Sequence, residues 1–312
     1  MKKVRIMMWS VLCGLASTVF AAQDGEVELR IVHTNDTHSC VMPVNPNSSD
    51  TALADKGGFV RRAALVRDLR AEDPDLLLFD SGDFSQGSAY YNLYKGDVEV
   101  KLMNEMRYDA ATIGNHEFDF GLDNMARIFR EATFPIVCAN YHFEGTVLEG
   151  LVRPYVILER KGVKVGVFGL GTQLEGMVAS ENYKGVTYED PVTAANRVAD
   201  ELKNKEHCDL VVCLSHLGWD IDGLDDTELV SATRHIDIVL GGHSHTYFEH
   251  PEVLKNADGE DVYCNQMGKH NGALGTPEAQ AAVGDVADRG LTLIRNRASI
   301  RSFSTMPRPK NW

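Results

Sequence analysis

The sequence has few of the features that mark non-globular chains. Only 10 of its 312 residues are proline, and no Pro-, Gly- or Ser-rich stretch divides its middle. With 44% hydrophobic and 24% charged residues, its composition is that of a folded globular protein, which excludes a disordered or fibrous chain. The missing linker predicts a single domain.

Basic residues are also in short supply. The chain has 31 Lys and Arg against 45 Asp and Glu, a formal net charge of −14. Because so acidic a chain repels a polyanion, we predict no binding to duplex nucleic acid. A site rich in aspartate can instead concentrate divalent cations.

Three common chemical motifs are missing. The sequence has no G-x-x-x-x-G-K-[ST] phosphate loop and no G-x-S-x-G nucleophile turn. None of its six cysteines has C-x-x-C spacing, which disfavours a thiolate zinc site. Electrophilic chemistry must then come from metal ions held by other side chains.

The amino terminus has the pattern of a secretory signal peptide. Lys2, Lys3 and Arg5 precede an apolar stretch that leads to a cleavage-like site at Ala21. We assign residues 1–21 to this leader and predict a secreted protein, periplasmic or extracellular, with no membrane span in its mature form. Five cysteines remain after cleavage, so at least one is free or pairs between chains.

Apolar, β-rich runs alternate with helical patterns from about Val27 to Leu240. This rhythm predicts an α/β fold in which helices cover the strands. Polar clusters follow five of the predicted strands, and ligands bind beyond the carboxyl ends of strands in layered α/β folds. We therefore expect the clusters to assemble one site.

The first two clusters offer carboxylates. Asp36 and His38 follow the first predicted strand, and alternation along extended backbone would point both side chains the same way. Asp83 follows a buried strand, and its two carboxylate oxygens can bridge two ions. Asp80, at the end of that strand, is expected to support the turn by hydrogen bonds.

The third cluster, G-N-H-E-F-D, is the most specific. Asn115 can offer an amide oxygen to a metal, whereas Asp119 can orient and charge the imidazole of His116. Glu117 is expected either to face solvent or to support the loop.

The last two clusters supply three histidines. His216 ends one predicted strand, and His243 and His245, two residues apart, can share a face of extended backbone. Carboxylate oxygens mixed with imidazole nitrogens suit Zn²⁺, Mn²⁺, Fe²⁺ or Co²⁺.

The motifs T-N-D-T-H-S, S-G-D-F-S-Q-G-S, G-N-H-E-F-D-F-G, S-H-L-G and G-G-H-S-H-T occur in this order from about Leu29 to Gly275. This order resembles the calcineurin-like metallophosphoesterases, and more narrowly the N-terminal catalytic domain of secreted bacterial 5′-nucleotidases. The resemblance implies a four-layer α-β-β-α sandwich. We expect the catalytic domain to span residues 27–290, followed by a C-terminal strand and flexible tail over residues 291–312.

The resemblance also implies a role for each matching residue. The ligands of one divalent ion would be Asp36, His38, Asp83 and His245. The ligands of the other would be Asp83, Asn115, His216 and His243. Asp83 would bridge the ions, and His116 with Asp119 would form the catalytic dyad. His245 departs from the Asn or Gln that is frequent at this position in secreted nucleotidases.

The function implied is the release of phosphate from nucleoside 5′-monophosphates or related phosphoesters by metal-activated water. One alternative is a phosphodiesterase acting on cyclic nucleotides or oligonucleotides. Another is a non-catalytic metal-binding subunit that partners a separate nucleotide-recognition protein.

Longer members of this family recognise the base through aromatic residues of a second, C-terminal domain, and this sequence ends soon after the catalytic region. We expect either a separate polypeptide that supplies this recognition or an enzyme of low selectivity. Tyr90, Tyr91 and Tyr94 could wall a substrate cleft, but packing against the fold is the favoured interpretation.

Overall fold

The computed structural model describes residues 27–43, 45–47 and 57–268, together with the backbone of residues 292–297. The predicted signal peptide, residues 1–21, lies outside the described residues, as does the chain beyond residue 297. Within the described part, no helix combines the length and the apolar character needed to cross a bilayer.

Fourteen strands and six α-helices make up this part of the chain. The strands are β1 (Glu28–Thr34), β2 (Leu77–Asp80), β3 (Ala110–Ala111), β4 (Ile136–Val137), β5 (Tyr141–His142), β6 (Val152–Arg153), β7 (Tyr155–Arg160), β8 (Val163–Gly171), β9 (Thr187–Tyr188), β10 (Leu210–His216), β11 (Ile238–Leu240), β12 (Glu252–Lys255), β13 (Asp261–Asn265) and β14 (Thr292–Arg297). The helices are α1 (Phe59–Glu72), α2 (Ala89–Tyr94), α3 (Asp97–Met106), α4 (Gly121–Glu131), α5 (Pro191–Asp200) and α6 (Asp226–Ala232).

Shorter helical turns complete the elements. His116–Phe118 and Ser180–Tyr183 are single 3-10 turns, and α5 continues into a π-helical turn over Glu201–Lys205.

The strands form two six-stranded sheets and one small antiparallel pair. The first sheet has the order β14-β1-β2-β3-β4-β6 and is parallel except at its β14-β1 edge. The second has the order β12-β13-β11-β10-β8-β7, with a parallel centre and an antiparallel strand at each edge. The remaining pair joins β5 to β9.

The apolar core lies in three layers. Between the sheets, side chains such as Ile31, Phe79 and Val212 pack face to face and are completely buried. The outer face of the first sheet packs against α1, α3 and α4, and that of the second packs against α5 and α6. Burying one such side chain is worth about 1.5–3 kcal/mol. The predicted four-layer α-β-β-α sandwich is confirmed.

The cysteines contribute to this packing. No disulfide bond joins any of the five cysteines that the described residues include. Cys138 and Cys213, which lie in apolar runs of the sequence, are 3% and 0% exposed. They are small core residues, as their neighbours predict.

The strands are shorter than the apolar runs suggest where they approach the polar clusters. β3 is only two residues long, and β11 ends at Leu240, so the third and fifth clusters lie in loops. The candidate ligands of these two clusters therefore lie beyond the ends of the strands, on backbone that is not part of the sheets.

Candidate metal centre

The predicted site residues occupy five segments at one edge of the two sheets. Three of these segments follow β1, β2 and β3, and the other two end β10 or follow β11. The sheets are joined directly here. The hydroxyl of Ser81 donates to the carbonyl of Leu240 at 2.6 Å, and the amide of His243 donates to the carboxylate of Asp36 at 3.0 Å. The structure thus brings all of these residues together.

At five of the seven predicted ligands the backbone is left-handed rather than extended. The φ angles of Asp36, His38, Asp83, His243 and His245 lie at 47°, 43°, 53°, 72° and 57°. The expectation that each D-x-H or H-x-H pair shares one face of an extended segment is therefore wrong. A non-glycine residue in this region costs about 1–2 kcal/mol, a strain that is typical of functional sites.

The first ligand group joins the loop after β1 to the loop after β11. Atoms of Asp36, His38 and His245 lie within 4.8 Å of one another. Nε2 of His38 is 3.1 Å from Nε2 of His245, and the latter is 3.3 Å from Oδ1 of Asp36. Three donor atoms of two types thus face one point.

The second ligand group joins the loops after β2 and β3 to the second sheet. Asp83, His216 and His243 offer atoms within 4.8 Å of one another, and Oδ1 of Asn115 lies 3.0 Å from Nδ1 of His243. Nδ1 of His216 is 2.6 Å from the carbonyl of Ser81, so this nitrogen carries the proton and Nε2 faces Asp83. Such a backbone contact fixes the orientation of a metal-binding imidazole.

The first group holds three of the four residues predicted for one ligand set, without Asp83, and the second group together with Asn115 holds all four predicted for the other. The buried Nε2 of His216 lies 3.2 Å from Oδ2 of Asp83, but its geometry there is not that of a hydrogen bond, which leaves this nitrogen suited to bind a metal. Carboxylate, amide and imidazole donors without thiolate suit divalent ions of intermediate hardness. The residues present therefore fit a dinuclear divalent centre. The roles of the individual residues stay a prediction.

The charges of the cluster favour a cation. Burial alone would raise the pKa of Asp36, but hydrogen bonds with His245 and His38 hold it well below its usual range. Burial lowers the pKa of His216, yet the charge of Asp83 outweighs this effect and raises it to about 10. Burial and the charge of His216 lower the pKa of His243 to about 4. The proton that the charge of Asp83 favours on His216 would have to leave before Nε2 could bind a metal ion, so metal binding should release protons.

His116 and Asp119 stand beside this cluster and are more accessible. Nδ1 of His116 is 3.0 Å from Oδ2 of Asp119, and the amide of His116 donates to Oδ1 of Asp83 at 2.9 Å. Burial lowers the pKa of the imidazole, but the Asp119 hydrogen bond and the charge of Asp83 together raise it above its usual value. The pair can therefore present a charged acid to a ligand at the cluster. Atoms of His38, Asp83 and His116 also lie within 4.8 Å of one another, so His116 adjoins the candidate ligands.

Glu117 is the residue that sequence reasoning described least well. It is 1% exposed, so the alternative in which it faces solvent is wrong. Its carboxylate accepts the amides of Asp83 at 3.0 Å, Gly114 at 2.7 Å and Ser85 at 3.2 Å. One buried acid thus supports both the loop of the predicted bridging ligand and its own loop. The sequence feature that could have predicted this supporting role is the position of Glu117 inside the G-N-H-E-F-D motif.

Close backbone packing between the same loops requires glycine. A Cβ atom on Gly114 would lie 2.1 Å from Oδ1 of Asp83, and one on Gly82 would lie 2.6 Å from the amide nitrogen of Gly114. Gly82 also has a φ of +88°. Larger residues at either position would push the two ligand loops apart.

Two further polar residues hold the loops; Asn35 lies inside the T-N-D-T-H-S motif, whereas Gln266 lies in none of the quoted motifs. Asn35 donates to Oδ2 of Asp36 at 2.6 Å and accepts the amide of Met267 at 2.8 Å. Gln266 donates to the carbonyl of Gly242 at 2.8 Å and accepts the amide of Thr246 at 2.5 Å. Both side chains tie β13 and the residues after it to the ligand loops.

Two expectations about supporting residues can also be checked. Asp80 accepts the amide of Gly82 at 2.9 Å and the hydroxyl of Thr34 at 2.6 Å, so it supports the turn as predicted. Tyr91 is buried and its hydroxyl donates to the carbonyl of His116 at 3.2 Å. Tyr90 and Tyr94 are 37% and 51% exposed, so the packing interpretation holds for Tyr91 alone, and neither of the exposed tyrosines belongs to the ligand groups.

A four-layer sandwich with a carboxylate-imidazole cluster at the edge where its sheets meet defines a class of α/β proteins built around a dinuclear metal centre. The chain belongs to the calcineurin-like phosphoesterase family, whose model matches residues 29–247.

Known relatives agree with this assignment. Human 5′-nucleotidase is 32% identical over 287 residues, which cover 85% of this chain and 49% of the human protein. The solved structure of a 5′-nucleotidase precursor from Thermus thermophilus has a TM-score of 0.69 and 32% identity, covering 78% of this chain and 50% of that one. The NAD nucleotidase of Haemophilus influenzae has a TM-score of 0.68 and 26% identity, covering 78% of this chain and 46% of that one. The chain thus spans about half the length of these relatives.

Proposed function

We propose that this protein is a metal-dependent phosphohydrolase that releases phosphate from nucleoside 5′-monophosphates or related phosphoesters. The observation that carries this proposal is the position of His116, which offers an atom within 4.8 Å of ligand atoms of His38 and Asp83 and is hydrogen-bonded through Nδ1 to Asp119 at 3.0 Å. The names of the human and Thermus relatives support nucleotides as the substrate class.

In this proposal the two ligand groups would hold the two ions, and Asp83 would serve as a ligand to both. When bound, the ions supply Lewis acidity and a water of lowered pKa. The work of the protein is then to hold the ligands, orient the phosphoryl group and provide the proton. We propose Zn²⁺, Mn²⁺, Fe²⁺ or Co²⁺ as the ions, in keeping with the mixed oxygen and nitrogen donors.

His116 is placed to act as the acid. Its Nδ1 faces Asp119, so Nε2 is left for the substrate. A protonated imidazole can neutralise charge on the phosphoryl oxygens and donate a proton to the departing alkoxide. Asp119 would keep the imidazole oriented and charged.

Two other functions are alternatives to this phosphohydrolase. A phosphodiesterase acting on cyclic nucleotides or oligonucleotides would use the same donor set, so a substrate panel is needed to separate it from the proposed activity. A non-catalytic subunit is disfavoured by the intact His116-Asp119 pair, because ligands alone suffice for a structural site.

We also propose that residues 27–290 form the catalytic domain, that the strand and tail over residues 291–312 follow it, and that residues 1–21 are a leader that directs the chain to the periplasm or outside the cell. A separate nucleotide-recognition polypeptide stays a prediction.

The test is a phosphate-release assay on the mature protein after removal of its metal and reconstitution with Mn²⁺, Co²⁺ or Zn²⁺. We expect release from nucleoside monophosphates only after reconstitution, with bound metal approaching two ions per chain by elemental analysis. A matched panel of cyclic nucleotides and dinucleotides measures the diesterase alternative. Full metal content without turnover of any substrate would contradict the proposal and favour the non-catalytic subunit.

A further inference from the structure

A pocket of about 310 Å³ lies at the same edge of the sheets as the metal centre and is not used by it. Its walls come from the residues after β8, from β5 and β9, and from the 3-10 turn over Ser180–Tyr183. Its volume is at the small end of the range of about 300–1,000 Å³ that is usual for small-molecule sites.

One side of the pocket begins at the metal centre. Gly171, the last residue of β8, is the strand partner of His216 on β10. Gln173, which lines the pocket, follows two residues later. Given the spacing of neighbouring strands and the reach of the chain, Gln173 lies within about 12 Å of the backbone of His216.

The other side of the pocket begins at the proposed dyad. The side-chain amide of Asn182 donates to the carbonyl of Asp119 at 2.9 Å, and Tyr183, the next residue, lines the pocket. The ring of Tyr141, also in the lining, packs against Phe118 with centroids 5.6 Å apart. The pocket is thus bracketed by the ligand cluster and by the loop that carries His116.

The lining combines aromatic faces with polar edges. Tyr141 and Tyr188 have ring centroids 5.9 Å apart at 46°, and Tyr183 is the third tyrosine of the lining. Tyr188 is 40% exposed, so part of its ring is open to a ligand. Gln173 and Glu175 add an amide and a carboxylate at the exposed rim.

This chemistry matches a flat heteroaromatic ring. Tyrosine faces stack on bases, whereas amide and carboxylate groups form hydrogen bonds with base edges. Gln173 lies within about 12 Å of the His216 backbone, and Tyr183 follows the residue that contacts Asp119, so a base joined to its phosphate through ribose is a ligand of suitable length to span the cluster and the pocket.

We propose that this pocket binds the base of a nucleotide whose phosphate sits at the metal centre, with Tyr188 as a stacking surface. The proposal rests on the proposed phosphohydrolase function and names the part of the substrate that this chain itself recognises. Tyr188 is then a specificity-determining residue rather than a catalytic one.

The test compares a substrate with a base to one without it. The kcat/KM values for adenosine 5′-monophosphate and ribose 5-phosphate are measured for the parent protein and for Tyr188→Ala, Tyr188→Phe and Tyr94→Ala. We expect Tyr188→Ala to lower kcat/KM for the nucleotide about tenfold, mainly through KM, since stacking on one base is worth about that factor. Ribose 5-phosphate turnover should not change.

The other two variants are matched controls. Tyr188→Phe keeps the ring and should retain the preference for the nucleotide. Tyr94 is an exposed tyrosine of α2 outside the pocket, so Tyr94→Ala should leave both substrates unchanged. An equal loss on both substrates, no loss in Tyr188→Ala, or a nucleotide-specific loss in Tyr94→Ala would overturn the proposal.

Binding of adenosine separates failure of the pocket from failure of the proposed function. Adenosine has no phosphate, so ligand-detected NMR with the same variants reports on the pocket even if no phosphoester is hydrolysed. Binding to the parent protein and Tyr188→Phe, weakened in Tyr188→Ala, supports the pocket. Absence of binding to the parent protein contradicts it.

Discussion

The side chains of Asp36, Asp83 and His216 are 0%, 2% and 0% exposed, whereas those of His116 and Asp119, only a few ångströms away, are 31% and 35% exposed. The buried set is fixed by hydrogen bonds to the backbone of other loops. The side chains of the exposed pair instead contact each other, through Nδ1 of His116 and Oδ2 of Asp119 at 3.0 Å. This difference matches their proposed roles, because ligands must be held still and an acid must be reachable by substrate.

His245 does not fit this contrast between buried ligands and an exposed catalytic pair. It belongs to the first ligand group, yet its side chain is 37% exposed. Because its side chain is accessible, the first ion would have one ligand that solvent can reach. Substitutions in both sets can show whether the buried side chains bind the metal while the accessible pair acts on the substrate.

The largest effect is expected at Asp83. Replacing it with alanine removes a ligand from both proposed ions and leaves His216 without its partner at 3.2 Å. We expect no measurable phosphate release and a loss of bound metal, measured by elemental analysis. Retention of two ions per chain would show that Asp83 does not bridge them.

His116→Ala should remove the acid and leave the buried set intact. General acid catalysis is worth about 10²–10⁴-fold, so kcat should fall by that factor while metal content stays unchanged. Full activity in this variant would exclude the proposed role. Loss of metal together with activity would make His116 a ligand and erase the division between the two regions.

Glu117→Gln should act through the ligands rather than on the substrate. Glutamine has one acceptor oxygen where the carboxylate of Glu117 serves three amides. Residues that orient metal ligands typically contribute about 10–100-fold to metal affinity or activity. Added metal should restore much of the lost activity, and a loss that metal cannot reverse would argue for a different role.

Asp119→Asn should change the pH profile. The pKa of His116 is raised, so its acid form persists to higher pH and is lost as pH rises through that pKa. Removing the Asp119 charge lowers this pKa, so activity should begin to fall at a lower pH. A shift of one unit is about a tenfold loss on the alkaline limb. An unchanged alkaline limb in kcat would mean that His116 is not the titrating acid.

The smallest effect is expected away from the site, at the N-cap of α6. Asp225 accepts the amides of Thr227 at 2.9 Å and Glu228 at 3.1 Å, and Asp225→Ala should cost about 0.5–2 kcal/mol of unfolding free energy. Burial opposes ionisation, but hydrogen bonds from Thr227, Glu228 and Asp220 hold the pKa of Asp225 below its usual value.

The sign of the pH dependence follows from that lowered pKa. The stabilisation is complete above the unfolded value and is lost as pH falls through the folded one. Denaturant unfolding at neutral and acid pH should show the cost shrinking in acid, with metal content unchanged at neutral pH. An equal cost at both pH values would mean that the ionised carboxylate is not what stabilises the helix.

Much of the fold was predictable because strands and helices leave a local signal. The runs around Leu77, Val165 and Val212 are apolar enough to predict buried parallel strands, and all three lie between the sheets. The small elements were not predicted. β5 and β9 are two residues each and exist only because they pair with one another.

The site was predictable in composition but not in geometry. Ligand types and their positions after strands can be read along the chain, whereas the left-handed backbone at Asp36 and His245 is set by contacts with distant loops. Glu117 illustrates the same limit. A glutamate in a loop is usually exposed, and only the approach of the Asp83 loop buries it.

Residue types and their spacing along the chain were enough to establish the family, the donor atoms and the order in which strands present them. Packing between distant segments was needed to establish which donors meet. His38 and His245 are 207 residues apart in sequence, yet their Nε2 atoms lie 3.1 Å apart. Packing also made tyrosines from separate elements enclose one pocket beside the cluster. The physical reason is that such contacts exist only after two sheets have packed and their carboxyl ends have met at one edge.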